Sequence, residues 1–248
     1  MSAALAIEVA ADALHATVAR QGFALAPGAV LAERLAQGGS PAALDTFAAS
    51  WERLETDGFM ADGGRYRRRR HANFTARWGI PGHLRGPHRP HFQATAHNSL
   101  NGGRDRWFAP MEGAVAAGPT LAALLECGRG LADALAPGQD WFVEAHQFRI
   151  EAVAGAPGYP TPEGLHQDGV DFVLIGMVAR TNLTGGETLV TDVAGIELAR
   201  FTLRDRLDTA FLDDRRVLHG VTPVGPAEAT LPSCRDVLVV TWKRGGAR

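Results

Sequence analysis

The chain has 248 residues, 46% of them hydrophobic and 21% charged, close to the average for a globular protein and unlike a disordered or collagenous one. Lys and Arg number 25 against 27 Asp and Glu, a net charge of −2, so no global field recruits nucleic acid or an anionic membrane. Two cysteines, Cys127 and Cys234, are too few for a disulfide framework, and no apolar run approaches the roughly 20 residues of a membrane span.

The first residues contain Glu8 and Asp12 and no basic leader, which leads us to expect a cytoplasmic protein. Leu5, Val9, Leu14 and Val18 keep a rhythm near 3.6 residues and predict a helix ended by Gln21-Gly22. A short strand follows at 23–26, stopped by Pro27-Gly28, then a second helix at about 30–36. Ser40-Pro41 is a helix start, and Leu44, Phe47, Trp51 and Leu54 place one apolar stripe on a helix ending near Asp57-Gly58. From Gly63 onward, short apolar runs alternate with turn signals. Strands are predicted at 65–74, 91–96, 142–152, 170–180, 187–192, 210–213, 217–221 and 236–242, interrupted by a helix at about 120–135. The pattern predicts a mainly β protein, a sandwich or barrel with helices packed outside. Without repeats or a Ser/Gly linker, it reads as a single domain with a helical part, 1–57, and a β core, 63–244.

His166-Gln167-Asp168 lies between a loop-like stretch and a strongly apolar strand, and His219 lies in another strand, 217–221. Two His and one carboxylate can hold one face of Fe(II) and leave positions for a cosubstrate and dioxygen. The His-x-Asp spacing alone is weak evidence, because nine His and fifteen Asp produce it by chance about half the time. Arg235 supplies context. It opens the final strand and shares a strand face with Val237, Val239 and Thr241, so it can pair bidentately with a carboxylate, with Thr241 expected beside the same anion.

The sequence here resembles the Fe(II)- and 2-oxoglutarate-dependent dioxygenases, in particular the bacterial L-isoleucine 4-hydroxylase-like branch. The resemblance spans most of the chain from Trp51 to Trp242. It rests on Gly64 through Arg70, Phe92-Gln93 through Asn98 to Arg106, His146 through Arg149, His166 through Phe172, Gly185-Gly186-Glu187, Leu212 through Pro223, and Arg235-Asp236-Val237. It implies a double-stranded β-helix, or jelly roll, with iron on His166, Asp168 and His219 and the distal carboxylate of 2-oxoglutarate on Arg235. Sixteen positions separate His219 from Arg235, wider than is usual in the family, and a hairpin loop at 225–233 would absorb the excess.

The resemblance implies a hydroxylase of a small molecule, a free aliphatic L-amino acid, using dioxygen. The alternative is a jelly-roll regulatory protein that keeps the metal site and turns nothing over. A substrate carboxylate would be met by inward arginines of the 67–70 run, Arg70 among them, or by Arg149 or Arg216. Asp171 or Glu187 would meet the ammonium, and Phe92, Phe148 or Phe172 would line the aliphatic part. Gln93 and Asn98 sit in a Gly-rich segment that resembles the family's cover over the substrate.

The run Arg67-Arg68-Arg69-Arg70 invites a nucleic-acid reading, but strand alternation divides it, two side chains to each face. His83, His88, His91 and His97 fit no structural zinc spacing and read as loop and strand residues. No nucleic-acid or membrane partner is expected, and a homodimer is compatible with the sequence.

Overall fold

The computed structural model describes residues 14–36 and 41–245, so Leu5, Val9 and Ser40 of the expected helices lie outside the described residues. Helix α1 (Leu14–Gln21) passes through Gly22 into strand β1 (Phe23–Ala26), followed by α2 (Gly28–Ala36), α3 (Pro41–Ala49) and a 3-10 turn at Ser50–Arg53. Next come β2 (Glu55–Thr56), β3 (Arg67–Ala76), β4 (Leu84–Arg85), α4 (Gly113–Ala116) and α5 (Pro119–Leu135). The remainder is β: β5 (Trp141–Ala152), β6 (Phe172–Thr181), β7 (Leu183–Gly185), β8 (Thr188–Asp192), β9 (Glu197–Phe201), β10 (Thr209–Asp213), β11 (Val217–Val221), β12 (Val224–Pro226) and β13 (Ser233–Arg244). No helix among the described residues is long and apolar enough to cross a membrane.

The large sheet runs β1-β10-β6-β13-β5-β3-β2, with β4 on β3, and its pairings are antiparallel. A small sheet, β11-β8-β9, and the ribbon β12-β7 complete a jelly roll. Strand alternation divides the large sheet into two faces. On the outer face Ala72, Phe74, Val143, Ala145, Leu174, Leu238, Val240 and Trp242 pack with Leu121, Leu124, Leu125 and Ala132 of α5 and with Phe47 and Trp51. On the inner face Val173, Ile175, Met177 and Val237 pack with Val190, Leu203 and Val217.

The rest of the inner face is polar. Residues opposite one another in an antiparallel pair point the same way, so register defines rows across β3, β5 and β13. These rows are Arg67–Ile150–Arg235, Arg69–Phe148–Val237, His71–His146–Val239 and Asn73–Glu144–Thr241. The sheet thus has an apolar face for the helices and a face rich in arginine and histidine for a cavity.

The expected strand at 91–96 is a loop. Pro87 and Pro90 lack N–H donors, the amides of His97 and Asn98 turn back onto the Ala94 carbonyl, and pairing is limited to a bridge between His91 and Arg106. Strand β9 was not expected. It is a largely exposed edge with Glu197 and Arg200, so it carries no apolar alternation. The long His219–Arg235 interval is absorbed by β12 and a loop held by Asn182, whose side-chain amide donates to the Glu228 and Leu231 carbonyls.

The helix-to-sheet packing depends on close approach at Gly128, where an added Cβ would stand 2.2 Å from the fully buried Trp242 ring. Gly128→Ala is therefore expected to destabilise the protein by about 1–3 kcal/mol through overpacking, measured as a lowered urea midpoint at unchanged slope.

Candidate metal centre and cavity

His219 stands on β11, and a pair of backbone hydrogen bonds, each 3.0 Å, bridges it to His166 in the loop before β6. Asp168 follows two residues later in a turn whose next residue, Gly169, has φ +79° and approaches the His97 ring too closely for a side chain. The turn is pinned from the other side by Asp214, which follows β10. Its carboxylate accepts the backbone N–H of Asp168 (2.9 Å), Gly169 (2.8 Å) and Val170 (3.1 Å). Its carbonyl accepts from the Gln167 side chain.

The donor atoms of His166, Asp168 and His219 lie within 4.8 Å of one another. Each imidazole Nε2 stands 3.7 Å from an Asp168 oxygen, too long for a hydrogen bond and near the separation of two ligands that share an ion at roughly 2 Å. Nδ1 of His166 faces the Gly164 carbonyl at 3.0 Å, which keeps the proton there and frees the Nε2 lone pair. Burial holds His219 down to about 4, with the charge of His166 acting in the same direction. Burial opposes charge on His166, yet the Asp168 carboxylate 3.7 Å away raises it to about 9. Asp168 itself resists burial and stays well below the usual carboxylate range because of His166 and His219. A centre that stabilises a proton on His166 beside an anionic Asp168 is one that favours a cation. Burial and the Asp168 charge push Asp214 up to about 7, against three N–H donors that favour its anion. A divalent ion on Asp168 would remove that repulsion.

A cavity opens onto this centre, lined by the inner-face rows and by the loop between β4 and α4. Arg235 lines it, is buried, and its Nε has no hydrogen-bond partner among the described residues. Burial, with Arg180 nearby, lowers it to about 10. Thr241 also lines the cavity but stands six residues further along the strand, about 20 Å at ~3.3 Å per residue, so it cannot share an anion with Arg235. The loop contributes Gln93, whose side-chain amide donates to Asp168 Oδ1 at 3.2 Å, and Asn98, which donates to Gln93 at 3.1 Å.

Seven other expected substrate contacts lie elsewhere. Arg70 and Arg149 fall on the outer face: Arg70 binds the Arg53 and Pro110 carbonyls and Glu55, and Arg149 pairs with Asp236 and Glu52. Arg216 donates to the carbonyls of Val18, Ala19 and Arg20 and so closes the C-terminus of α1. Asp171 pairs with Arg244 and Arg215. Glu187 pairs with Arg200 at the surface, Phe92 is exposed, and Phe172 lies in the helix-side core, whereas Phe148 lines the cavity.

Arg67, Arg69, Arg106, Glu163, His91 and His146 also line the cavity. The parity of the arginine run separated Arg67 and Arg69 from Arg68 and Arg70 but could not say which pair faced inward. A second gathering, His71, His91, Glu144 and His146, has donors within 4.8 Å of one another. Its contacts are hydrogen bonds: Glu144 accepts from His71 Nε2 (2.9 Å) and His91 Nδ1 (3.1 Å), and Arg69 donates to His146 Nδ1 (2.7 Å). The guanidinium against His146 opposes a cation there.

The family model for the 2OG-Fe dioxygenases matches residues 48–241, and the chain belongs to that family. A 3(1)-hydroxy-L-isoleucine 4-dioxygenase from Pantoea ananatis (strain AJ13355) is 29% identical over 163 residues, 64% of this chain and 66% of that relative, just under two thirds of its length. The solved bsmA homologue of Methylobium petroleophilum PM1 is 38% identical with a TM-score of 0.88, over 98% of this chain and 96% of that one. IDO from Bacillus thuringiensis, at 18% identity and TM-score 0.79 over 95% and 99% of the two chains, shares the fold. That family is the 2-oxoglutarate- and Fe(II)-dependent dioxygenases. Bound Fe(II) supplies, with 2-oxoglutarate and dioxygen, oxidation chemistry that no side chain possesses.

His219→Ala should abolish 2-oxoglutarate turnover and leave the circular dichroism spectrum unchanged. Asp214→Asn turns a donor toward backbone N–H groups and should weaken metal affinity by roughly 10–100-fold, read by Co(II) titration; unchanged affinity would exclude Asp214 as the support of the turn.

Proposed function

We propose that this dioxygenase hydroxylates an unactivated C–H bond of a small free L-amino acid, with iron on His166, Asp168 and His219 and the distal carboxylate of 2-oxoglutarate on Arg235. The observation that carries the reading is an excess of buried positive charge in the cavity. Arg67, Arg69 and Arg106 are all buried, and Nη2 of Arg67, Nε of Arg69 and Nε of Arg106 have no hydrogen-bond partner among the described residues. The buried Asp57 carboxylate answers two of them, at 2.7 Å from Arg67 and 3.6 Å from Arg69. The Arg69 guanidinium lies between the Phe108 and Phe148 rings, 3.5 and 4.3 Å from their centroids, which fixes its plane.

Arg67 and Arg235 belong to one row but stand two strands apart, about 10 Å. That separation suits two different anions, the cosubstrate at Arg235 and a substrate carboxylate at Arg67, Arg69 and Arg106. Glu163 lines the same cavity, and its buried Oε2, without a hydrogen-bond partner among the described residues, can receive an ammonium. Phe148, Val237 and Val239 offer apolar contact between them. The amino-acid substrate of the Pantoea relative supports the same class.

In this reading the protein binds both carboxylates, orients the C–H bond toward the metal and keeps bulk water out. Two measurements test it. Arg235→Ala should weaken 2-oxoglutarate binding by roughly 30-fold or more, the loss of a buried charge pair. Free L-Ile, L-Leu or L-Met should gain one oxygen with release of succinate, while the methyl esters should fall by about 100-fold or more because esterification leaves buried guanidinium groups unpaired. Equal turnover of acid and ester would sink the carboxylate assignment, and oxidation of no free amino acid would sink the substrate class.

A further inference from the structure

Gln93 is a buried side chain whose hydrogen-bonding positions are all engaged by the protein. Its amide nitrogen donates to the Asp168 carbonyl and to Asp168 Oδ1, each at 3.2 Å. Its Oε1 accepts from Asn98 Nδ2 at 3.1 Å and from Arg106 Nη2 at 3.2 Å. A primary amide has two N–H donors and two acceptor sites, so these four contacts use its capacity in full and leave none for a substrate. The partners also fix which way the amide faces. Arginine can only donate and a backbone carbonyl can only accept, so exchanging the oxygen and nitrogen would break both ends at once.

The two ends belong to different parts of the cavity. Asp214 holds the backbone of the His-x-Asp turn, whereas Gln93 reaches the Asp168 carboxylate itself. At the other end Arg106 is buried, and its Nε has no hydrogen-bond partner among the described residues. The link between them is anchored. Paired backbone hydrogen bonds of 3.0 Å join His91 to Arg106, and the Gln93 carbonyl accepts the Gly103 N–H at 2.8 Å. Asn98 is fixed in turn by the Asn101 N–H, which donates to its Oδ1 at 2.6 Å.

We infer that Gln93 is a positioning residue of the metal centre and that Arg106 acts on Asp168 through it. This rests on the assignment of the ion to His166, Asp168 and His219 proposed above. Donation to Oδ1 resists rotation of the carboxylate. Donation by Arg106 to Oε1 polarises the same amide and strengthens its N–H toward Asp168. An anion that draws the Arg106 guanidinium away changes the hydrogen bond at Asp168, so occupancy of the arginine end of the cavity is felt at the ion.

The test uses the full chain loaded with Co(II), read by its visible ligand-field bands and its Co(II) dissociation constant, with no substrate present. Gln93→Met removes the amide at similar length; it should move the bands and weaken Co(II) binding by about 10-fold or more, the usual loss for a group behind a metal ligand. Arg106→Met should also move the bands, and Arg106→Lys, which keeps a donor for Oε1, should return them toward the wild-type positions. In the Gln93→Met background Arg106→Met should leave the bands where Gln93→Met put them, because two residues acting through one contact are non-additive. Loss of the guanidinium charge acts on affinity in both backgrounds and cancels in this comparison. Wild-type bands in Gln93→Met overturn the inference, as do equal band shifts from Arg106→Met in both backgrounds. Unmoved bands in the single Arg106→Met variant overturn it too, whether or not Gln93→Met folds. Co(II) affinity retained in His219→Ala would instead overturn the metal assignment beneath it.

Discussion

The metal centre depends on a carboxylate that is not one of its ligands. Asp214 collects three consecutive backbone N–H groups, those of residues 168–170, and so holds the His-x-Asp turn against the end of β10. A turn of this shape leaves its amides without strand partners, and buried amides must be satisfied somewhere. One side chain satisfies three of them. It also aims Asp168 at the imidazoles of His166 and His219, which the backbone bridge has already brought together. The ligands are thus positioned by hydrogen bonds that belong to the fold, before any ion is bound.

A second consequence of burial shapes the cavity. Four arginines, Arg67, Arg69, Arg106 and Arg235, are buried there. A buried cation costs several kcal/mol unless it is paired, and Asp57 answers only Arg67 and Arg69 by ion pairing. Aromatic faces from Phe108 and Phe148 recover part of the cost for Arg69. In the proposed function the remaining N–H groups, without partners among the described residues, receive anions, the cosubstrate at Arg235 and a substrate carboxylate at Arg67, Arg69 and Arg106. Gln93 ties this region to the metal centre: its Oε1 accepts from Arg106 and Asn98 while its amide donates to Asp168. The loop that lines the cavity thereby also contacts Asp168.

The chemistry of the centre was legible in the sequence because its residue types are rare in combination. Two histidines and an aspartate at a short and a long spacing, followed by an arginine in a terminal strand, mean little unless they meet at a metal. The succession of short strands likewise determined a β architecture with helices outside, since period-two alternation and turn residues are local properties. The hairpin loop at 225–233 was legible from its turn residues, whereas the Gly-rich segment around Gln93 and Asn98 was expected to hold a strand at 91–96 that its prolines and turns do not permit.

What the sequence left open was direction. Alternation in Arg67-Arg68-Arg69-Arg70 and in His146-Gln147-Phe148-Arg149 divides each run into two faces, and nothing local says which face meets the helices. The answer depends on partners distant in sequence: Trp242, Phe74 and Val143 bury one face of the large sheet against α5, so Arg67, Arg69, His146 and Phe148 fall on the other. A one-residue difference in parity moves every side chain of a strand across the sheet. That is why Arg70 and Arg149 are structural ion-pair partners and their neighbours Arg69 and Phe148 line the cavity. For the same reason Arg216, adjacent to a β strand in sequence, serves the end of α1, and Asp214, in the same turn, serves the metal centre. Residue type and spacing determined which chemistry this chain carries; only the packing of distant apolar residues decided which side chains face it.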